Sequence, residues 1–341
     1  MQHGKVNFLI GLSFGSEGKG NIADYLGVTN DLDLSIGNFG PNAGHSVMLN
    51  DGSSKVVKML PVSGLKNENT NILVGSGTIL NKEILLKEMD TFNCSNRTLV
   101  SAFAPIVNEE CKKYEFENLQ YIASTFQGTG AALGFKTMRS KNISLVKDDP
   151  ELSKWCHYHI SDIIMNRIDK RGMTALCEIA QGYGLSVDSE FYPYCTSRIV
   201  NVGQALAYLD VSPSVVGDVI GIARSYIIRV GNVKEGYSGD TFYDSKEISW
   251  EELSDKLGRD TVEFTSVTKR KRRLFTFSKK LFEMAVKRNG VNVLFMTFVD
   301  YLNNDEKSEM IDYLTSDKFD FKEIYFVSGF GNYDKYIEKI K

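Results

Sequence analysis

The sequence predicts an α/β fold: a central, mostly parallel sheet flanked by helices and opened by a phosphate loop of P-loop type. Three observations carry this expectation. Apolar runs of strand length, each ending in glycine or a polar residue, recur along the chain and alternate with helix-like stretches. The first, "KVNFLIGL" (Lys5 to Leu12), leads through a glycine-rich turn into "GKGNIADYLG", the strand, glycine loop and helix order of a nucleotide-binding unit. The chain has 341 residues with only six prolines, no internal repeat and no low-complexity linker, so one domain over 1–341 is expected.

The remaining elements follow in order. "LDLSIG", "NILVGSG" and "RTLVSAFAP" have the pattern of buried strands, with "NKEILLKEMDTF" an amphipathic helix between the last two. The segment around 150–171 has a helical pattern and is expected as a helical subdomain inserted on the sheet. "MTALCEIAQG", "VIGIARSYIIRVG", "VNVLFMTFVD" and "FKEIYFVSGFG" resume the strand pattern. Ligands of open α/β sheets bind beyond the carboxyl ends of the strands. Those ends carry Gly15–Gly20, Gly75–Gly77, Gln181–Gly182, Asp300 and Ser328–Gly331.

Composition narrows the function classes. With 40 basic against 43 acidic residues, no global charge points to nucleic acid or to a membrane surface, and no apolar run is long enough to span a bilayer. The five cysteines form no CxxC pair and no signal peptide precedes them, which suits reduced thiols in a cytoplasm. With four histidines in all, a histidine-built zinc site is not expected.

Five stretches carry chemistry. "GLSFGSEGKG" (Gly11 to Gly20) misses the usual G-x-x-x-x-G-K-[ST] pattern: the frame starts at Ser13, and Gly20 stands where a magnesium-binding hydroxyl belongs. Its backbone N–H groups, the helix amino end and Lys19 still suit a phosphate. "GNFGPNAGHSV" (Gly37 to Val47) places Asn42 and His45 in a glycine-rich loop, where His45 can give a proton to a developing phosphate charge; a lone histidine is as readily a packed core or surface residue. "STFQGTGAALGFKTMR" (Ser124 to Arg139) offers Gly128, Thr129 and Gly130 to wrap a monophosphate and Arg139 to clamp it, or is simply a glycine-rich surface loop. In "EIAQGYGLSVDSEFYPYCTS" (Glu178 to Ser197), the Gln181 amide suits a purine edge. "EFTSVTKRKRRLF" (Glu263 to Phe275) holds five basic residues in a row. In a chain of net negative charge these are better suited to a small anion or a solvated face than to nucleic acid.

Together, "GSEGKG", "PNAGHS", "VGSG", "GTG…MR", "AQG…YPYCTS" and "EFTSVTKRKRR" resemble the adenylosuccinate synthetase family in order and spacing, from Val6 to about Asp334. The resemblance implies a ligase that joins aspartate to C6 of a purine monophosphate after phosphorylating O6. It implies that the triphosphate is held by Ser16, Glu17, Gly18, Lys19, Gly20, Gly44, His45, Ser46, Asp300, Ser328 and Gly329. Ser16, Lys19 and His45 are the implied catalytic residues, His45 as general acid. Ser16 and the Gly44 carbonyl are the implied contacts to Mg2+. The purine monophosphate falls to Ser16, Asn42, Thr129, Gly130, Gln181, Thr196 and Arg270, with Arg139 reaching it from the second subunit of a homodimer. Val267, Thr268, Arg270 and Arg272 belong to the aspartate loop.

Two departures from the family pattern refine this. The family loop reads Gly-Asp-Glu-Gly-Lys-Gly, its aspartate being the base at N1; here that position is Ser16. The smaller, uncharged serine makes room beside a C2 amino group, as in the family's bacteriophage branch, which uses dGMP on the way to 2-aminoadenine. The family's guanine-reading Thr-Lys-x-Asp is "TFVD" here, Thr297 to Asp300. That change favours ATP or dATP over GTP as donor. The alternative is an ordinary synthetase using IMP and GTP.

Overall fold

Ten strands form one sheet in the computed structural model, which describes residues 1–49, 52–265, 270–329 and 331–341. In chain order they are β1 (Val6–Gly11), β2 (Leu34–Gly37), β3 (Asn71–Val74), β4 (Thr98–Ser101), β5 (Cys156–His157), β6 (Ala175–Gly182), β7 (Val216–Arg224), β8 (Val293–Thr297), β9 (Glu323–Val327) and β10 (Ile337–Lys339). Their spatial order is β10-β9-β8-β7-β1-β6-β2-β3-β4-β5. Every pairing is parallel except β9 with β10. β1 lies between β6 and β7 and is buried along its whole length. The connections diverge from it, so the crevice beyond its carboxyl end is where a doubly wound sheet binds ligand.

Nine helices matter to the argument: α1 (Lys19–Thr29), α2 (Lys82–Thr91), α3 (Glu109–Asn118), α4 (Thr129–Thr137), α5 (Ile160–Arg171), α6 (Val202–Leu209), α7 (Trp250–Leu257), α8 (Lys279–Asn289) and α9 (Asn304–Leu314). One core packs α5, α6 and α8 through Ile164, Leu209 and Phe282; another packs α1 and α2 through Ile22, Leu26, Leu85 and Met89. Asn81, Asn108, Asn201, Ser249, Ser278 and Asn303 cap α2, α3 and α6 to α9 with their side chains, each such cap stabilising by about 1 kcal/mol. α1 and α4 differ. Each starts at a left-handed glycine, Gly18 (φ 82°) or Gly128 (φ 76°), without a side-chain cap.

The structure adds to the sequence expectations in three places. The segment around 150–171, expected as a helical subdomain, supplies edge strand β5 and helix α5, whose Ile160, Ile164 and Ile168 belong to the main core. "VIGIARSYIIRVG" is two strands in two sheets. β7 ends at Arg224, and Ile227–Arg229 joins Arg273–Phe275 and Glu247–Ile248 in a three-stranded antiparallel sheet. Ser225 makes the break, its amide donating to the Thr297 carbonyl (3.1 Å) and its hydroxyl to the Phe298 carbonyl (2.6 Å). The hairpin of His45–Met48 with Ser54–Val57 and the antiparallel β10 carry no pattern strong enough to have been anticipated. Among the described residues, no helix is long and apolar enough to cross a membrane.

α1 packs against the turn at Val62–Gly64 so closely that a Cβ on Gly27 would sit 2.1 Å from the Ser63 carbonyl oxygen. Gly27→Ala is therefore expected to destabilise by about 1–3 kcal/mol despite alanine's better helix propensity. Gly134→Ala in α4, where nothing lies within 4 Å, should stabilise by roughly 0.4–1 kcal/mol. Urea denaturation of the two variants measures both signs.

Candidate active site

The glycine loop between β1 and α1 is built on a buried carboxylate. Glu17 is fully buried and accepts from the Ser13 and Gly15 N–H groups (3.0 and 2.9 Å) and from the Ser13 hydroxyl (3.0 Å). A Cβ on Gly11 would approach that carboxylate to 2.4 Å, so the end of β1 needs glycine. From behind, the Thr297 hydroxyl at the end of β8 bridges the Glu17 and Ala223 carbonyls at 2.9 and 3.0 Å. The Glu17 side chain thus shapes the loop, and what the loop offers a phosphate is backbone: the uncapped first turn of α1. Lys19, buried, donates to the Gln181 carbonyl at 2.5 Å and lies 3.6 Å from Glu17 Oε2. This contact ties the ends of β1 and β6 together, and Gln181 carries the left-handed φ of 69° that turns the chain there.

Ser16 sits at the tip of the loop. It is exposed, in a left-handed conformation (φ 58°), and its carbonyl accepts from Arg224 (3.1 Å). Arg224 is itself fully buried at the end of β7 and pairs with Glu263, Nη2 to Oε1 at 2.5 Å. Glu263 also accepts from Arg272 (2.9 Å) and from the Tyr301 hydroxyl (3.1 Å). Burial alone would raise the Glu263 carboxyl, but the two guanidiniums overcome it and hold the group below its ordinary range. Arg272, expected on aspartate, therefore shares its charge with Glu263. Removing one member of so buried a pair costs roughly 3–5 kcal/mol.

His45 opens a hairpin that packs on the first turn of α1. A Cβ on Gly20 would come within 2.7 Å of the Ser46 carbonyl and 3.2 Å of His45 Cβ, so only glycine lets the imidazole approach this closely. The ring is buried beside Phe39, 4.8 Å between centroids, and its Nε2 has no protein partner. Burial, and then the charge of Lys19, push its pKa down to about 3. The free imidazole is neutral at physiological pH, and an anion placed beside it would raise its proton affinity.

The next cluster sits beyond β2. Around Gly40, the position of a Cβ is 2.9 Å from Asn42 Oδ1, 3.1 Å from Thr129 Cγ2 and 3.4 Å from Arg198 Nη2. Asn42 Oδ1 and Thr129 Oγ1 are buried without a protein partner, a cost of about 1–3 kcal/mol each unless a ligand meets them. Arg198 is buried and spans to the Asn38 and Gly77 carbonyls (2.8 and 3.0 Å). The N–H groups expected to wrap a monophosphate are engaged differently. Glu115 of α3 accepts from Gly128 (2.8 Å) and Gly130 (2.6 Å), standing where an anion caps α4. That leaves the Thr129 hydroxyl as the free polar group of the motif. Thr196 is half-buried, its amide on the Leu185 carbonyl.

A cleft of about 280 Å³ lies on the other side of the loop, lined by Arg259, Thr261, Phe298, Asp300, Ser328 and Gly329 among others. Asp300 is paired with Arg259, and the Arg224 guanidinium stacks 3.7 Å from the Phe298 ring centre. The expected triphosphate residues at the ends of β8 and β9 thus share one cleft. Arg139 ends α4 exposed, with a φ of 57°. Among the described residues of the basic run, Lys271 pairs with Glu251, Arg272 with Glu263 and Arg273 with Glu247, and Arg270 reaches the Ala123 carbonyl. Val267 and Thr268 lie outside the described residues. Sequence reasoning missed Arg224, Glu263, Arg198, Arg259 and Glu115. Arg224 had a visible signal, a lone cation closing an otherwise apolar strand.

Below pH 6.5, the ordinary value, unfolded chains protonate this histidine while the folded protein does not, so stability falls as pH drops toward 3. Glu178, pushed up to about 7 by burial, acts in the opposite sense over much of this range, so the comparison must be with a variant. Relative to His45→Gln, the wild-type protein should lose about 2 kcal/mol between pH 6.5 and about pH 5 by chemical denaturation.

Comparison with known proteins accords with this geometry. The sequence profile of the adenylosuccinate synthetase family matches residues 8–147 and 149–320. The N6-succino-2-amino-2'-deoxyadenylate synthase of Vibrio phage phiVC8 is 33% identical over 311 residues, 87% of each chain. The adenylosuccinate synthetase of Methanococcus vannielii is 32% identical over 299 residues, 86% of this chain and 83% of that one. The solved structure of the cyanophage S-2L succinoaminodeoxyadenylate synthetase, bound to dGMP and to dATP as an energy donor, superimposes with a TM-score of 0.86 at 29% identity, covering 98% of this chain and 95% of that one.

Proposed function

The chain belongs to the adenylosuccinate synthetase family, whose members are C–N bond-forming ligases, and on that premise we propose that it condenses L-aspartate with dGMP at the expense of ATP or dATP. The reaction runs through a 6-phosphoryl intermediate to 2-amino-2'-deoxy-N6-succinyladenylate, the nucleoside diphosphate and phosphate. One observation carries this reading: Ser16, exposed and uncharged, stands at the tip of a phosphate loop kept intact everywhere else. A carboxylate there would meet a purine 2-amino group; a hydroxyl leaves it room and can accept from it. The phage relatives act on this type of nucleotide by name.

The geometry supports the following roles. The uncapped first turn of α1, with Gly18 and Gly20, and the Lys19 ammonium face the transferring phosphate. His45 hydrogen-bonds a phosphoryl oxygen as a neutral donor and becomes an acid as charge builds on that oxygen. On the nucleotide side, the unpaired Asn42 Oδ1 can accept from an N–H or O–H of the substrate and the unpaired Thr129 hydroxyl can donate to its phosphate, with Gln181, Thr196 and Arg270 completing the site. The donor base lies over Phe298 and Asp300, and Ser328 and Gly329 close that cleft. With Asp300 committed to Arg259, guanine finds fewer acceptors there, which favours an adenine donor.

Among the described residues, no group of three His, Cys, Asp or Glu could hold a metal. A magnesium ion held chiefly by triphosphate and water fits neutral oxygens such as Ser16 Oγ and the Gly44 carbonyl, and it would neutralise phosphoryl charge there. The proposal includes a homodimer with Arg139 acting across the interface. Support comes from the exposed Tyr114, Phe116, Tyr121 and Met138 on and beside α3 and α4, close in sequence to Arg139. No nucleic acid or membrane partner is proposed. The place of action is the cytoplasm, that of a host cell for a phage-borne gene, in line with five unpaired cysteines.

Purified protein with aspartate and ATP or dATP should convert dGMP with a kcat/KM at least about tenfold above that for IMP; preference for IMP with GTP would make it an ordinary synthetase. Ser16→Asp should lower kcat/KM for dGMP by about tenfold or more, because bulk and charge then meet the 2-amino group. Unchanged dGMP kinetics in that variant would contradict the steric explanation.

A further inference from the structure

Ser16 holds a backbone conformation that L side chains seldom adopt, with φ at 58°. Its carbonyl accepts from one buried group, Arg224 Nη1 at 3.1 Å. The same guanidinium engages Glu263 with both terminal nitrogens, at 2.5 and 3.3 Å, and lies over the Phe298 ring, 3.7 Å from its centre. Glu263 passes the connection to Arg272 and to Tyr301. One cation therefore touches the tip of the phosphate loop, the donor-base cleft and the segment that leads into the basic run.

We propose that Arg224 is the residue that positions Ser16, and that through Glu263 it couples the phosphate loop to Arg272. The inference rests on the function proposed above and deepens it: discrimination for the 2-amino group depends on where Ser16 points, and Arg224 sets that direction. Arg224 is buried, and its terminal nitrogens are spent on the Ser16 carbonyl and on Glu263, so it acts through Ser16. Aspartate bound to Arg272 would compete with Glu263 for its guanidinium and so change the Glu263 contact to Arg224, the residue that holds the Ser16 carbonyl. Lysine at position 224 keeps the charge but gives up the two-nitrogen fork, so it restores part of the effect only.

The test uses the full chain with Arg224→Lys, Arg224→Met and Glu263→Gln, each checked for cooperative unfolding. It measures kcat/KM for dGMP and for dIMP, which lacks the 2-amino group. Loss of positioning should lower the dGMP to dIMP ratio at least about fivefold in Arg224→Met, with Arg224→Lys between it and wild type. Equal losses on both nucleotides, or none, would overturn the assignment. Amide hydrogen exchange gives a readout independent of turnover: in Glu263→Gln, residues 13–20 and 270–275 should exchange faster together. If wild-type protein turns over neither nucleotide, the proposed function fails, while joint loosening still upholds the coupling. Faster exchange in one segment alone, or in neither, overturns the coupling.

Discussion

The burial of Glu17 beneath the glycine loop is the constraint on which the site depends. A carboxylate with no exposure survives there because three donors of its own loop meet it and Lys19 lies close by. In return, it fixes the path of the backbone, so that the first turn of α1 opens toward the crevice beyond β1. The close contacts follow from it. Gly11 has no Cβ because the carboxylate fills that space, and Thr297 at the end of β8 anchors the Glu17 carbonyl. Strand β6, beside β1, ends in Gln181, and strand β8, on the far side of β7, leads into Phe298, so the two flank one phosphate loop.

The same device recurs through the fold. Glu88 collects the N–H groups of Lys58, Met59 and Leu60; Glu115 those of Gly128 and Gly130; Glu178 the N–H and hydroxyl of Ser63. Each takes a loop with unsatisfied donors and gives it a single shape, and at Glu88 and Glu178 the desolvation outweighs these hydrogen bonds and raises the carboxyl above its ordinary range. Glu263 differs in kind. Its partners are side chains, two of them cations, so it organises charge rather than backbone, and it links loops far apart in sequence.

Much of this was legible beforehand, for identifiable reasons. The buried parallel strands are short apolar runs, and seven of the ten in the main sheet lie within stretches the pattern marked, with β7 overlapping an eighth. The phosphate loop and the histidine loop are local, each carried by residues close in sequence, whereas the Asp300 cleft joins three distant segments, around 260, 300 and 328. The two missed strands, β5 and β10, are only two and three residues long at opposite edges of the sheet, too short for a period to show. Gly128 and Gly130 have the composition of an anion-binding turn, and the structure does put an anion there, but it is the chain's own Glu115.

The sequence alone determined the α/β class, the position of the phosphate loop and the exchange of a carboxylate for the hydroxyl of Ser16. Those are properties of residue type and local spacing, which tertiary packing does not alter. Only the folded chain decided that Glu17 faces inward, that His45 is held neutral, and that Arg224 reaches Ser16 across 208 positions while pairing with Glu263. The reason is physical. Burial, protonation and ion pairing depend on which distant segments meet in a low-dielectric interior, and that information exists only once the strands have taken their order around β1.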